Sequence, residues 1–172
     1  HAASTPFITR LIDYKAYDRR DVRKKIYNTF EGNVLDLCCG TGFSTKPGHT
    51  GIDTSLEMLR LTKVFNPGSN YLCGNAESYG KDKEFDTVSC MFAFHEMPTV
   101  GHLKVIRNAL KVAKKEIIIV DISTNYEPSD LMLSGEPYIN DYLKNIDDTL
   151  YNYGFSKKIF SENHIDVWNL KI

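Results

Sequence analysis

Short apolar runs alternate along the chain with longer segments whose apolar residues recur at helical spacing. The runs near 33–38, 50–53, 70–73, 85–91 and 115–121 read as strands covered on both faces. Glu116-Ile117-Ile118-Ile119-Val120-Asp121 is the clearest, β-branched at its centre and preceded by lysines. Helices are predicted near 18–30, 55–65, 101–114 and 140–153. The second carries start chemistry, with Thr54 or Ser55 to cap it and Glu57 in its first turn. Gly154-Phe155 ends the last helix, and stretches 155–161 and 164–171 close the chain around a polar Glu162-Asn163 turn. The pattern predicts an α/β, doubly wound, mainly parallel sheet with an antiparallel hairpin on one edge.

The run Val34-Leu35-Asp36-Leu37-Cys38-Cys39-Gly40-Thr41-Gly42 places an acid and two glycines where the first strand should end. Glycine lets a backbone turn sharply and lets a ligand lie against peptide groups. Cofactors of open α/β sheets sit beyond the carboxyl ends of the strands. A dinucleotide fingerprint would need a third glycine where Thr45 stands, which disfavours a nucleotide-dependent oxidoreductase. Ten residues separate Gly42 from Asp53, and they include Pro47-Gly48. The first crossover helix is therefore expected to be shortened to a single turn.

At 172 residues, with 42% apolar and 25% charged residues and a net charge of −1, the chain reads as one domain with its own core. Near-neutral charge offers no basic footprint for nucleic acid. No apolar run approaches the roughly 20 residues that span a bilayer, so no membrane partner is expected. His1 to Thr5 lack the apolar core of a secretion signal, although opening on His leaves room for a leader upstream. Cys38, Cys39, Cys73 and Cys90 lie in or beside apolar strands without C-x-x-C spacing. They read as reduced core thiols of a cytoplasmic protein with no metal, a catalytic thiol being the minor alternative.

Asp36-x-Cys38-x-Gly40-x-Gly42 resembles the first motif of the class I S-adenosylmethionine-dependent methyltransferases, [DE]-x-[GAC]-x-G-x-G. Gly51-Ile52-Asp53-Thr54-Ser55-Leu56-Glu57-Met58-Leu59 resembles that family's G-[VI]-D-x-S-x-x-M-L. Gly74-Asn75-Ala76-Glu77 is similar to its G-D-A-E, with Asn in place of Asp, and Phe85-Asp86-Thr87-Val88 to its F-D-x-V. Phe92-Ala93-Phe94-His95-Glu96-Met97-Pro98 resembles the "HEMP" variant found among small-molecule methyltransferases. The resemblance implies a Rossmann-like, seven-stranded sheet of order 3-2-1-4-5-7-6 with S-adenosyl-L-methionine as cofactor and S-adenosyl-L-homocysteine as product. It also implies a cofactor site of Asp36, Cys38, Gly40, Gly42, Asp53, Thr54, Met58, Asn75, Ala76, Phe92 and Tyr17. In it Asp53 binds the ribose hydroxyls, Thr54 and Met58 flank adenine, and Asn75 accepts from its amine.

His95 and Glu96, just beyond strand four, are the candidate catalytic residues, since an acceptor that loses a proton can need a base there. The site's cover is expected from the N-terminal tyrosines and from 123–148, which make Tyr14 and Tyr138 candidate substrate contacts. Glu136-Pro137-Tyr138-Ile139-Asn140-Asp141-Tyr142 resembles an E-P-Y-x-x-[DE]-Y segment of small methyltransferases. Neither the family's [DNS]-P-P-[YFW] nor its cytosine-directed Pro-Cys follows strand four, and no accessory platform is present, so a small-molecule acceptor is expected. The expected layout is one domain, 1–172: cap helices to 30, cofactor core 31–122, substrate cover 123–150 and closing hairpin 151–172. The alternative is a non-catalytic S-adenosylmethionine-binding or regulatory subunit that needs a partner. Oligomeric state is left open.

Overall fold

A computed structural model describes residues 22–172. Helix α1 (Val22–Tyr27) leads into β1 (Val34–Leu37), β2 (Thr50–Asp53), α2 (Leu56–Phe65) and β3 (Asn70–Cys73). Then come β4 (Phe85–Met91), a 3-10 turn at Phe94–Glu96, α3 (Thr99–Val112) and β5 (Ala113–Ile122). Helices α4 (Asp130–Gly135) and α5 (Ile139–Asn152) precede β6 (Ser156–Ser161) and β7 (Ile165–Lys171). The seven strands line up as β3-β2-β1-β4-β5-β7-β6, with the first five parallel and β7 antiparallel to both β5 and β6. The expected sheet order and the closing hairpin are both present.

Alternating side chains divide between two layers, as the period of two along a strand requires. From β5, Ile117 and Ile119 join Leu35, Leu37, Val88, Ile106, Tyr142 and Trp168 on one face. Ile118 and Val120 join Val22, Ile26, Phe30, Val34 and Met91 on the other. Among the described residues no helix is long and apolar enough to cross a membrane.

Four local expectations change. Residues 38–49, between β1 and β2, form no helical turn at all. Their backbone closes three successive i→i+3 turns, from Gly42 N–H to Cys39 O, Thr45 N–H to Gly42 O and His49 N–H to Lys46 O. The helix expected to run to 114 ends at Val112, because the chain turns at once into β5. Within the cover, 130–135 is helical, begun by the Ser129 hydroxyl accepting from Met132 N–H at 3.3 Å. All four cysteines are free, and Cys73 is exposed on edge strand β3 rather than in the core.

The hairpin is fastened through a buried charge. Asp166 is fully buried, and Lys157 Nζ lies 2.8 Å from its carboxylate and 2.9 Å from that of Asp147. Trp168, also fully buried, donates its indole N–H to Asp147 at 2.9 Å. Removing one partner of a buried pair strands the other charge away from water. Lys157→Met is therefore expected to lower stability by about 3 kcal/mol. Urea unfolding measures it, and a loss below about 0.5 kcal/mol, the size of an exposed pair, would show that Asp166 does not depend on this lysine.

Candidate active site

The glycine loop lies flat on the sheet. Gly51 on β2 makes room for it, since a Cβ there would sit 2.8 Å from the Thr45 hydroxyl and 3.0 Å from Cys39 Sγ. Backbone with positive φ turns the chain at Cys38 (58°), Gly40 (53°) and Gly42 (85°). The two glycines serve different ends. A Cβ on Gly42 would collide with the Tyr71 ring, whereas among the described residues nothing lies within 4 Å of one built on Gly40. Gly40 thus presents bare backbone to open space, which a ligand can approach. Asp36 sits beneath the loop, 1% exposed, accepting from the Thr45 hydroxyl at 2.8 Å and the Ser89 hydroxyl at 3.3 Å.

At the end of β2, Asp53 accepts from Gly40 N–H at 2.9 Å and from Ser55 N–H at 2.8 Å, one bond on each oxygen. A carboxylate oxygen has a second lone pair, so both remain able to accept from a pair of vicinal hydroxyls. Thr54 is exposed and Met58 half-buried at the start of α2, whose first turn is capped by the Ser55 hydroxyl. After β3, Asn75 spends a carbonyl bond on Glu77 N–H (2.8 Å), and Asn108 of α3 holds that loop by donating to Ala76 O and Tyr79 O, both at 2.9 Å. Phe92 follows β4 at φ 56° with the Arg23 guanidinium 4.2 Å above its ring. These groups stand along the carboxyl ends of β1 to β4. Tyr14 and Tyr17 lie outside the described residues. Tyr138 is exposed at the N-terminus of α5.

Beyond β4 and β5 stands a second cluster. Asp121, fully buried, accepts from Phe94 N–H at 2.8 Å, His95 N–H at 3.2 Å and Ile122 N–H at 2.8 Å, and pairs with His95 Nδ1 at 2.6 Å. Tyr142 presents its edge to the His95 ring and donates to Ile122 O at 2.5 Å. His95 Nε2 points toward Glu96, 3.8 Å away. Burial opposes a charge on His95, but Asp121, helped by Glu96 and Glu136, outweighs it and pushes the ring up to about 9. At neutral pH this imidazole is therefore a hydrogen-bond donor. Burial raises Glu96, opposed by His95 and supported by Glu136, Asp121 and Asp53, so the two clusters feel each other's charge. His102 is a packing residue, stacked on Phe94 at 4.9 Å and bonded to Phe94 O at 2.7 Å. Burial pushes the Cys39 thiol up, and contact with Cys38 followed by burial does the same for Cys90, so neither is a ready nucleophile.

Residues 34–116 match the family model described as a methyltransferase domain. Nearly half of this chain is thus similar to a methyltransferase domain. An uncharacterised methyltransferase of Synechocystis sp. is 37% identical over 89 residues, covering 47% of this chain and 42% of that one. Trans-aconitate 2-methyltransferase of Rhodopseudomonas palustris is 28% identical over 131 residues, covering 70% and 50%. The chain spans about half the length of these curated relatives. A Thermotoga maritima structure described as a SAM-dependent methyltransferase, possibly acting on histamine, superposes with a TM-score of 0.68. Its identity is 16%, and the match covers 99% of this chain and 97% of that one.

Sequence reasoning did not single out Asp121, Tyr71 or Asn108 for any role in the site. Asp121 carried a signal, an acid closing an apolar strand beside the first candidate base; Tyr71 and Asn108 carried none.

The buried carboxyl of Asp36 has a pH signature. Burial outweighs the Thr45 and Ser89 hydroxyls and the Arg23 charge, and its pKa rises from 3.8 to about 7. The native state thus holds this proton more tightly than the unfolded chain. That advantage is complete below the ordinary carboxylate range and is lost as pH rises toward about 7. Asp36→Asn, which carries no ionisable group, is expected to melt several degrees above wild type at pH 8, with the gap closing near pH 4. Thermal melts across that range check it, and a gap independent of pH would show that Asp36 titrates normally.

Proposed function

We propose that this chain transfers a methyl group from S-adenosylmethionine to a small organic acceptor. The observation that carries the reading is the Asp53 carboxylate, which bonds Gly40 N–H beside an open backbone face and keeps acceptor capacity on both oxygens. S-adenosylmethionine, when bound, supplies an electrophilic methyl group. The protein's task is then largely positioning, since in-line displacement needs alignment more than covalent help. Asp53, Gly40, Thr54, Met58, Asn75 and Ala76 hold the nucleoside. Asp36 and Gly42 act from behind, fixing the loop against the sheet and against Tyr71. His95 and Glu96 meet the acceptor, and Asp121 keeps the His95 ring oriented. A small acceptor agrees with the trans-aconitate specificity in the name of one relative.

A second reading, a cofactor-binding subunit that needs a partner for activity, is favoured by one observation: the loop is held by turns where a helix would stiffen it.

Calorimetry with S-adenosylmethionine and S-adenosylhomocysteine tests both. Wild type is expected to bind each ligand, and Asp53→Ala to bind about tenfold or more weakly, the effect of losing hydrogen bonds to a charged group. No binding by wild type would sink the reading. Binding without turnover across amines, phenols, thiols, quinols and carboxylates would favour the partner-dependent subunit.

A further inference from the structure

We propose that His95, Glu96 and Glu136 form a site for a first-row divalent metal ion on the acceptor side of the fold. One ligand atom from each residue can be chosen so that all lie within 4.8 Å of one another. His95 and Glu96 come from the 3-10 turn after β4, and Glu136 ends α4, so three ligands converge from two separate stretches of chain.

The imidazole is the part that distinguishes this cluster from a chance group of surface acids. The His95 side chain is only 10% exposed. Its Nδ1 is committed to Asp121 at 2.6 Å, and Asp121 is itself fixed by three backbone N–H groups. That leaves Nε2 with no hydrogen bond among the described residues, turned toward the Glu96 carboxylate 3.8 Å away, and an ion bound there would displace the proton this nitrogen carries at neutral pH. A carboxylate on one ring nitrogen and open carboxylate ligands on the other is how proteins orient a metal-binding histidine.

Size and charge agree. With bonds of about 2.1 Å, tetrahedral ligand atoms stand roughly 3.4 Å apart. The widest separation must therefore contract by up to about 1.4 Å to reach that tetrahedral spacing, within reach of two flexible glutamates, of which Glu96 is 62% exposed. Two carboxylates balance a doubly charged ion. Nitrogen and oxygen donors without sulfur suit manganese, iron(II) or zinc and do not suit copper(I). Three protein ligands also leave coordination positions free, as catalytic sites do. Such an ion would hold an oxygen of the acceptor and favour its deprotonated form. That role rests on the methyl-transfer reading, whereas ion binding does not.

Titration of the full chain with Mn²⁺ and Zn²⁺ by calorimetry, alongside S-adenosylhomocysteine, tests the site. One ion per chain is expected, bound at least tenfold more weakly by Glu136→Gln and by His95→Ala, with the homocysteine product's affinity unchanged in Glu136→Gln. Electron spin echo of the Mn²⁺ form is expected to show nitrogen coupling from the imidazole, a readout that needs no variant to fold. A wild type that takes up neither ion at millimolar concentration, or variants that bind as wild type does, would overturn the site. Ion binding without product binding would keep the site and remove the methyl-transfer reading; product binding without ion binding would do the reverse.

Discussion

Parallel neighbours in a sheet need a crossover, and a helix normally provides both the distance and an apolar cover. Between β1 and β2 this chain has twelve residues in turns, so the cover lies directly on the strands. What makes this tolerable is the pair of hydroxyl bonds onto Asp36, from Thr45 in the loop and Ser89 on β4. They satisfy polar groups on a strand face that would otherwise carry apolar side chains toward a helix. The loop's own backbone is tied off around its rim. Gly48 N–H reaches Gly68 O at 2.7 Å, Ser69 reaches Lys46 O at 3.1 Å, and Lys46 reaches back to Phe30 O at 2.5 Å. Gly51 completes the fit by leaving room for the Thr45 and Cys39 side chains of the loop.

The same device recurs along the carboxyl edge of the sheet. Asp36 on β1, Asp53 closing β2 and Asp121 near the end of β5 each spend a carboxylate on ordering the turn beside it. Their differences follow from what surrounds them. Asp36 is sealed beneath the loop and meets only hydroxyls, so its charge is disfavoured. Asp53 is half-exposed and keeps lone pairs for a ligand. Asp121 is sealed too, but an imidazole and three backbone N–H groups face it, and it draws a positive charge onto His95. One residue type thus gives three electrostatic behaviours, set by burial and by the partners on offer.

Much of this was legible in the amino-acid order. Five apolar runs and a terminal pair with opposed direction suffice for the sheet, because strands buried on both faces leave an unmistakable hydrophobic trace. The positions of Gly40, Asp53 and His95 just beyond or at strand ends were legible because such ends are marked locally, by a turn, a cap and a side chain a few residues apart. The Pro47-Gly48 pair announced that the first crossover would be short, but not that it would lose helical geometry altogether, which depends on Thr45 meeting Asp36. Partnerships across the sequence were hidden. Asp121 lies 26 residues from His95, and Asn108 lies 32 from Ala76. Helix α4 escaped notice because none of its six residues is fully buried and only Met132 packs partly against the core, so no periodic signal marks it.

A loop fastened by three turns and a few side-chain bonds belongs to the part of a fold that opens most easily, well before the β4 and β5 core gives way. Its amide protons should therefore be lost to solvent through local opening and not through global unfolding. A ligand seated against Gly40 then does more than occupy a space: its binding free energy is partly drawn down in closing that opening. The absent helix makes affinity at this site and the order of the loop a single linked quantity.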